Sequence, residues 1–245
     1  MATFPARKHV LEAAVRSLEH QVDEIHLALN EYTEIPGFLG GIRNLNPALQ
    51  SENQRDVGKF VFSPNPDDHV FFVDDDLAYS PGYCDWITER AEEIGLERAV
   101  FGLHAGVYRN SHVNDAGVRK RLHYRRGILR SVFVDQLGTG TALALGKNVP
   151  SWDYMKGSQR FVDVRFAKWC FERGISQVAV ARPFNMVRPL RHGGTTIYRD
   201  FTVNSPEHVV EEIRSYAGKS PYSRHRIGDK ISLFDLLFGA WSHGR

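Results

Sequence analysis

Val70-Phe71-Phe72-Val73-Asp74-Asp75-Asp76 is the stretch on which the fold turns, an unbroken apolar run that stops at three consecutive carboxylates. Four apolar residues without polar alternation describe a strand covered on both faces, as in a parallel sheet between helices. Asp74 ends it. Downstream, Pro81 opens a helix running toward Ile94 and Gly95, and Ala99 to Leu103 reads as the next strand. Upstream, Met1 to Phe4 is a short apolar strand. Val10, Leu11, Ala14, Val15 and Leu18 then recur at helical spacing, and Ile25, Leu27 and Leu29 alternate with polar partners up to Asn30. The order is β-α-β, a loop over Glu34 to Arg55 rich in proline, glycine and asparagine, then β-α-β again.

Beyond Leu103 the pattern weakens. From His104 to Arg130 seven basic residues are opposed only by Asp115, and a loop or hairpin insertion is expected. Val132 to Gln136 resumes strand alternation, and Leu137-Gly138-Thr139-Gly140-Thr141 turns sharply into Ala142 to Leu145. Val162 to Arg173 fits a helix closed by Gly174, followed by a strand over Gln177 to Ala181. Val209, Val210, Ile213 and Tyr216 share one face of another helix, and Ile231 to Trp241 is apolar enough to pack on the body. This alternation predicts a three-layer α/β sandwich with a mostly parallel central sheet.

The composition excludes several function classes. The 245 residues carry 31 lysines and arginines against 29 acids, a near balance that gives no global case for nucleic-acid binding. Cys84 and Cys170 are the only cysteines, which supports neither a disulfide framework nor a cysteine metal cluster and fits a reducing compartment. No apolar run approaches the roughly 20 residues that span a bilayer, and the N-terminus reads as a strand rather than a signal peptide. The expectation is a cytoplasmic protein, with at most a peripheral contact at the inner face of the membrane.

The acidic run lies where open α/β sheets bind ligands, beyond the carboxyl ends of the strands. Adjacent carboxylates repel, so a site that gathers them holds a cation or faces water. A hard ion such as Mg²⁺ or Mn²⁺ takes one or two carboxylates plus substrate phosphates. A solvated turn capping the helix after Pro81 explains the run as well. The Gly138 to Thr141 turn could let a ligand approach the backbone closely or could simply join a strand to a helix. Asp163 at a helix start reads, on the residues alone, as an N-cap. His104 could face the cleft or sit at the core edge.

Taken in order, several motifs resemble bacterial glycosyltransferases of the GT-A fold, family-2-like enzymes that build surface polysaccharides. They are Ala2-Thr3-Phe4-Pro5-Ala6-Arg7, Leu18 and Gln21, Asn30, Gly58-Lys59-Phe60, the acidic triplet followed by Tyr79 and Pro81, Leu137-Gly138-Thr139-Gly140-Thr141, Asp163-Val164-Arg165-Phe166-Ala167 and Arg182-Pro183. The resemblance runs to about Tyr198. It implies one GT-A domain, with a Rossmann-like nucleotide-sugar-binding half over 1–103, an acceptor and catalytic half over 104–200, and C-terminal helices over 201–245. Thr3, Phe4, Pro5 and Arg7 would hold base and ribose with Asn30 lining the base pocket, and Lys59 would approach the phosphates. The triplet resembles the family's DxD motif, so Asp74 or Asp75 would contact ribose and Asp76 would ligate a divalent Mn²⁺ or Mg²⁺. Gly138, Thr139 and Gly140 would wall the donor and acceptor pocket, Asp163 would be the base of an inverting transfer, with Asp153 as its substitute, and His192 a late metal ligand. The implied partners are a nucleotide-sugar donor and a glycan or lipid-linked acceptor, with no nucleic acid. The basic tract suits an anionic acceptor, a lipid-diphosphate carrier or an anionic membrane, and equally a solvated arm or oligomer contact.

Three rivals remain. A phosphatase-like hydrolase would attack phosphorus with the Asp74/Asp76 pair, but Ala78 stands where such enzymes carry a hydroxyl or β-branched residue. A nucleotidyltransferase would need a glycine-rich basic loop that Thr3 to Arg7 lacks. A non-catalytic sugar-nucleotide-binding domain would keep the pocket without turnover.

Overall fold

The computed structural model describes residues 1–108, 119–191, 205–220 and 227–242, without the side chains of residues 119 and 238–242. The chain is a mixed α/β protein. Its first unit is β1 (Ala2–Thr3), α1 (Lys8–Arg16), β2 (Ile25–Leu29) and β3 (Leu45–Leu49), with the strands paired in parallel in the order β1-β2-β3. α1 buries Val10, Leu11, Ala14 and Val15, the stripe its spacing predicts. β3 lies inside the segment expected to be a loop, and it carries Pro47. Proline cannot donate to a ladder, so it is tolerated here because β3 is an edge strand with β2 on one side only.

The larger sheet runs β4-β11-β6-β12-β9, built from β4 (His69–Val73), β6 (Ala99–Gly102), β9 (Val132–Val134), β11 (Thr141–Leu145) and β12 (Ser176–Ala179). Only β6 and β12 pair in parallel; β4 with β11, β11 with β6 and β12 with β9 are antiparallel. The expected mostly parallel central sheet is therefore corrected to a mixed one. An apolar run reports burial of both faces, which β4 does show, and carries no information on the direction of its neighbour. Val73 packs on one face with Leu143, Phe101 and Val178, while Phe72 packs on the other with Ala142, Val100 and Ala179.

Helices cover both faces. α1 and α2 (Tyr83–Ile94) supply Leu11, Val15, Tyr83, Trp86 and Ile87 to the first core. α4 (Val162–Glu172), preceded by the short α3 (Trp152–Met155), supplies Phe166, Trp169 and Cys170 to the second. Gly174 follows α4 at φ +65°, the left-handed conformation that glycine adopts without strain. α5 (Glu207–Tyr216) packs on α4 through Val209, Ile213 and Tyr216, and Arg165 grips Glu212 with contacts of 2.8 and 3.0 Å. β5 (Leu77–Tyr79) pairs with β13 (Val187–Pro189), directly after the acidic run.

The basic stretch after Leu103 begins as the expected hairpin. β7 (Ala105–Tyr108) and β8 (Arg119–Leu122) are antiparallel, and β10 (Gln136–Leu137) pairs on the other side of β7. α6 (Leu233–Ser242) is the last described helix, with Ile231 and Leu236 against the first core. Among the described residues no helix is long and apolar enough to cross a membrane.

Candidate active site

The carboxyl end of β4 delivers Asp74, Asp75 and Asp76, and each meets a different partner. Asp74 receives the Lys59 ammonium. Lys59 comes from a 3-10 helix over Arg55–Phe60, its side chain only 5% exposed, and it also donates to the Thr139 carbonyl at 3.2 Å. Burial alone would push the Lys59 ammonium down, but Asp74, with Asp163 and Asp56 behind it, holds it above its ordinary value. Lys59 is thus a buried ion-pair member.

Thr139 extends the network. It sits in the turn between β10 and β11, so this segment joins two strands and not a strand to a helix. Its backbone N–H and hydroxyl both donate to Asp163 Oδ1, at 2.8 and 2.7 Å. Asp163 occupies the first turn of α4. Burial raises its pKa, against the Thr139 bonds and Lys59, which lower it. The turn glycines are packing requirements: a Cβ on Gly140 would stand 2.0 Å from Asp74 Oδ2, and one on Gly138 3.1 Å from the His104 ring.

Asp76 binds Arg7, which stands in the 3-10 turn Pro5–Arg7 with its guanidinium 5.7 Å from the Phe4 ring centroid. Phe4 and Pro5 are exposed. Asp75 is buried beside Thr3. Neither Asp75 Oδ2 nor Thr3 Oγ1 makes a well-formed hydrogen bond, although the hydroxyl is near enough to counter part of the burial that pushes Asp75 up to about 6. Asn30 is buried. Its amide nitrogen donates to the Thr3 and Arg55 carbonyls at 3.1 Å each and its oxygen accepts from Gln54 N–H at 2.8 Å, so it ties β1 to the start of the 3-10 helix that carries Lys59.

Asp153 is exposed on α3 and paired with Lys156 at 2.7 Å, which removes it from the cluster as a substitute base. His192 lies outside the described residues, as does Arg109. Cys84 and Cys170 are free and buried, and burial pushes both thiols up, away from reactivity.

Four residues to which the sequence assigned no role, Tyr79, Asp56, Arg182 and His123, stand close to this network. Tyr79 accepts from Asp74 N–H and donates to the Gly140 carbonyl, both at 2.8 Å, locking the acidic run to the glycine turn. Asp56 accepts from Arg160 N–H at 2.8 Å, and burial raises its pKa to about 6 beside Lys59 and Asp163. Arg182 is fully buried, donating to the Val180 and His123 carbonyls, and burial lowers it to about 9. His123 stacks near Tyr124, at 4.3 Å between centroids, and 5.4 Å from His104. The Tyr124 ring lies 5.7 Å from the His104 ring, which packs against Gly138 of the glycine turn, so this aromatic ledge borders that turn. Tyr79 and Arg182 gave a signal only as members of the resembling motifs, while Asp56 and His123 gave none.

A cavity of about 960 Å³, lined by Met1, His26, Phe62, Val70 and Cys84 among others, opens on the far side of Lys59 and includes none of the acidic run. Among the described residues no three histidines, cysteines or acids converge as a metal-holding set. The protein offers Asp74 and Asp76, hard oxygen donors in the number that Mg²⁺ or Mn²⁺ takes when phosphates complete its coordination. No model of a known protein family matches the chain, and neither does any curated protein.

Proposed function

We propose that the chain is a GT-A glycosyltransferase, moving a sugar from a nucleotide-sugar to a glycan or lipid-linked acceptor in the synthesis of a surface polysaccharide. One observation carries the reading. Lys59, the acidic run, the Thr139 turn and Asp163, spread over more than 100 residues of sequence, form one hydrogen-bonded network at a strand end. A structural core would fill such a place with apolar side chains, because gathered carboxylates and a buried ammonium are costly to desolvate. The cluster suits a ligand with a diphosphate on one side and a sugar on the other.

Arg7, Phe4, Thr3 and Asp75 form the side that would receive the nucleoside. Lys59 would face the phosphates. Asp74 and Asp76 would hold a divalent metal, which when bound would stabilise negative charge on the departing diphosphate. Asp163, raised by burial and held by Thr139, would take the acceptor proton during direct displacement with inversion. Its role is tested by Asp163→Asn: full transfer activity in that variant rules it out as the base.

The direct test is thermal unfolding with UDP-, GDP-, CMP- and TDP-sugars, with and without Mn²⁺. Metal-dependent stabilisation by one nucleotide class is the expected result and identifies the donor. Absence of stabilisation by all of them overturns the reading.

A further inference from the structure

The described residues include nine exposed large apolar side chains, and five of them gather at one place: Leu129, Phe184, Leu233, Phe234 and Leu237. Three belong to α6, at 69%, 64% and 57% exposure, and their spacing puts them on one face of the helix. The opposite side is anchored. Leu236 packs into the core, its carbonyl accepts from Phe184 N–H at 3.0 Å, and Ile231 N–H donates to the Leu129 carbonyl at 3.1 Å. Gly127 leaves room for this seat, since a Cβ there would lie 2.6 Å from Leu236 and 3.0 Å from Phe184. Ser232 caps the helix by accepting from Asp235 N–H at 3.0 Å and returning its hydroxyl at 2.7 Å. The exposed face is therefore held in place by the fold.

Basic residues outnumber acids around this face, four against two. Arg125, Arg126, Arg130 and Lys230 are all exposed and belong to the two segments that the Leu129–Ile231 bond joins. Of the nearby acids, Asp229 is bonded to Ser131 and Asp235 to Ser232. A contiguous apolar patch of this kind marks a docking surface. An apolar helix face with a basic rim matches the interface of an anionic bilayer, where the rings and leucines enter the headgroup boundary and the arginines meet lipid phosphates.

We infer that α6 and the Arg125–Arg130 loop form a peripheral docking surface for an anionic lipid membrane. The surface borders the aromatic ledge of His123 and Tyr124, which reaches the Gly138 turn through the His104 ring. On the transferase reading, which the docking itself does not require, this orientation would present the site to an acceptor carried in the membrane.

The test is co-sedimentation of the full chain with vesicles of pure phosphatidylcholine and with vesicles containing phosphatidylglycerol, without any nucleotide, beside the oligomeric state measured in solution. Binding to the anionic vesicles only, weakened by high salt, is the expected result. Replacing Arg125 and Arg126 together by alanine weakens it roughly 25-fold, from the contribution of a basic residue near a charged surface. Phe234→Ser and Leu237→Ser each weaken it on the order of tenfold. All three variants keep the wild-type unfolding temperature within a few degrees, because the replaced side chains are exposed. Equal binding to both vesicle types, no binding to either, or a concentration-dependent dimer that Leu237→Ser dissolves would each overturn the inference. Because no donor is present, failure here is separate from failure of the nucleotide panel.

Discussion

Lys59→Met removes one charge and keeps nearly the same buried volume, so it isolates the electrostatic centre of the site. Lys59 is 5% exposed and contacts Asp74, the Thr139 carbonyl and, at 3.5 Å, the Thr139 hydroxyl. A hydrogen bond to a charged group contributes about 1.5–3 kcal/mol, and breaking a fully buried pair costs about 3–5 kcal/mol. Asp74 is 38% exposed, so water recovers part of that loss, and the expected destabilisation is about 2–3 kcal/mol. For a chain of this length that corresponds to a fall in Tm of roughly 5–10 °C. The loss also depends on pH. Asp163 has a raised folded pKa that Lys59 restrains, so without Lys59 its ionised form is less tolerated, and the deficit of the variant grows as pH rises above the carboxylate range. The measurement is urea unfolding of wild type, Lys59→Met, Asp74→Asn and the double variant at pH 5 and pH 8. A coupling of about 1–2 kcal/mol between the two sites is expected. A stability change below about 0.5 kcal/mol, with no coupling, would show that the ion pair does not organise the site.

Other perturbations reach the same network by different routes. Gly140→Ala pushes a methyl group to within 2.0 Å of Asp74 Oδ2, so Asp74 must leave Lys59; unfolding experiments should read a loss of about 1–3 kcal/mol, and the nucleotide-dependent shift should vanish. Asp56→Asn keeps the acceptor for Arg160 N–H and removes a charge that the fold disfavours. Because the folded pKa of Asp56 is raised to about 6, wild-type stability falls as pH rises from about 4 through 6. The variant should therefore gain up to about 3 kcal/mol over wild type at pH 8, a gain that disappears near pH 4; a pH-independent difference would contradict this. Tyr79→Phe removes the link between Asp74 N–H and the Gly140 carbonyl and leaves two buried backbone groups unpaired. It should cost about 1–3 kcal/mol by thermal unfolding, and an unchanged Tm would contradict that role.

What the sequence by itself determined is the local part of this protein. Periodicity placed α1, α2 and α4 and most strands, because burial of one face imposes a period on the chain, and Val70 to Val73 ending at Asp74 located the strand end where the acids gather. It left β3 in a loop, since Pro47 masks an edge strand whose partner is 20 residues away. Tertiary structure alone decided strand direction, because an apolar run is equally buried beside a parallel or an antiparallel neighbour. It also decided partners. Nothing in the order of residues says that Lys59 is buried against Asp74, that Thr139 holds Asp163, or that Asn30 ties Thr3 to Arg55, because hydrogen bonds between distant segments leave no period in the chain. The same holds for α6, where an apolar pattern predicts packing against the body and only the fold determines which side of the helix stays exposed.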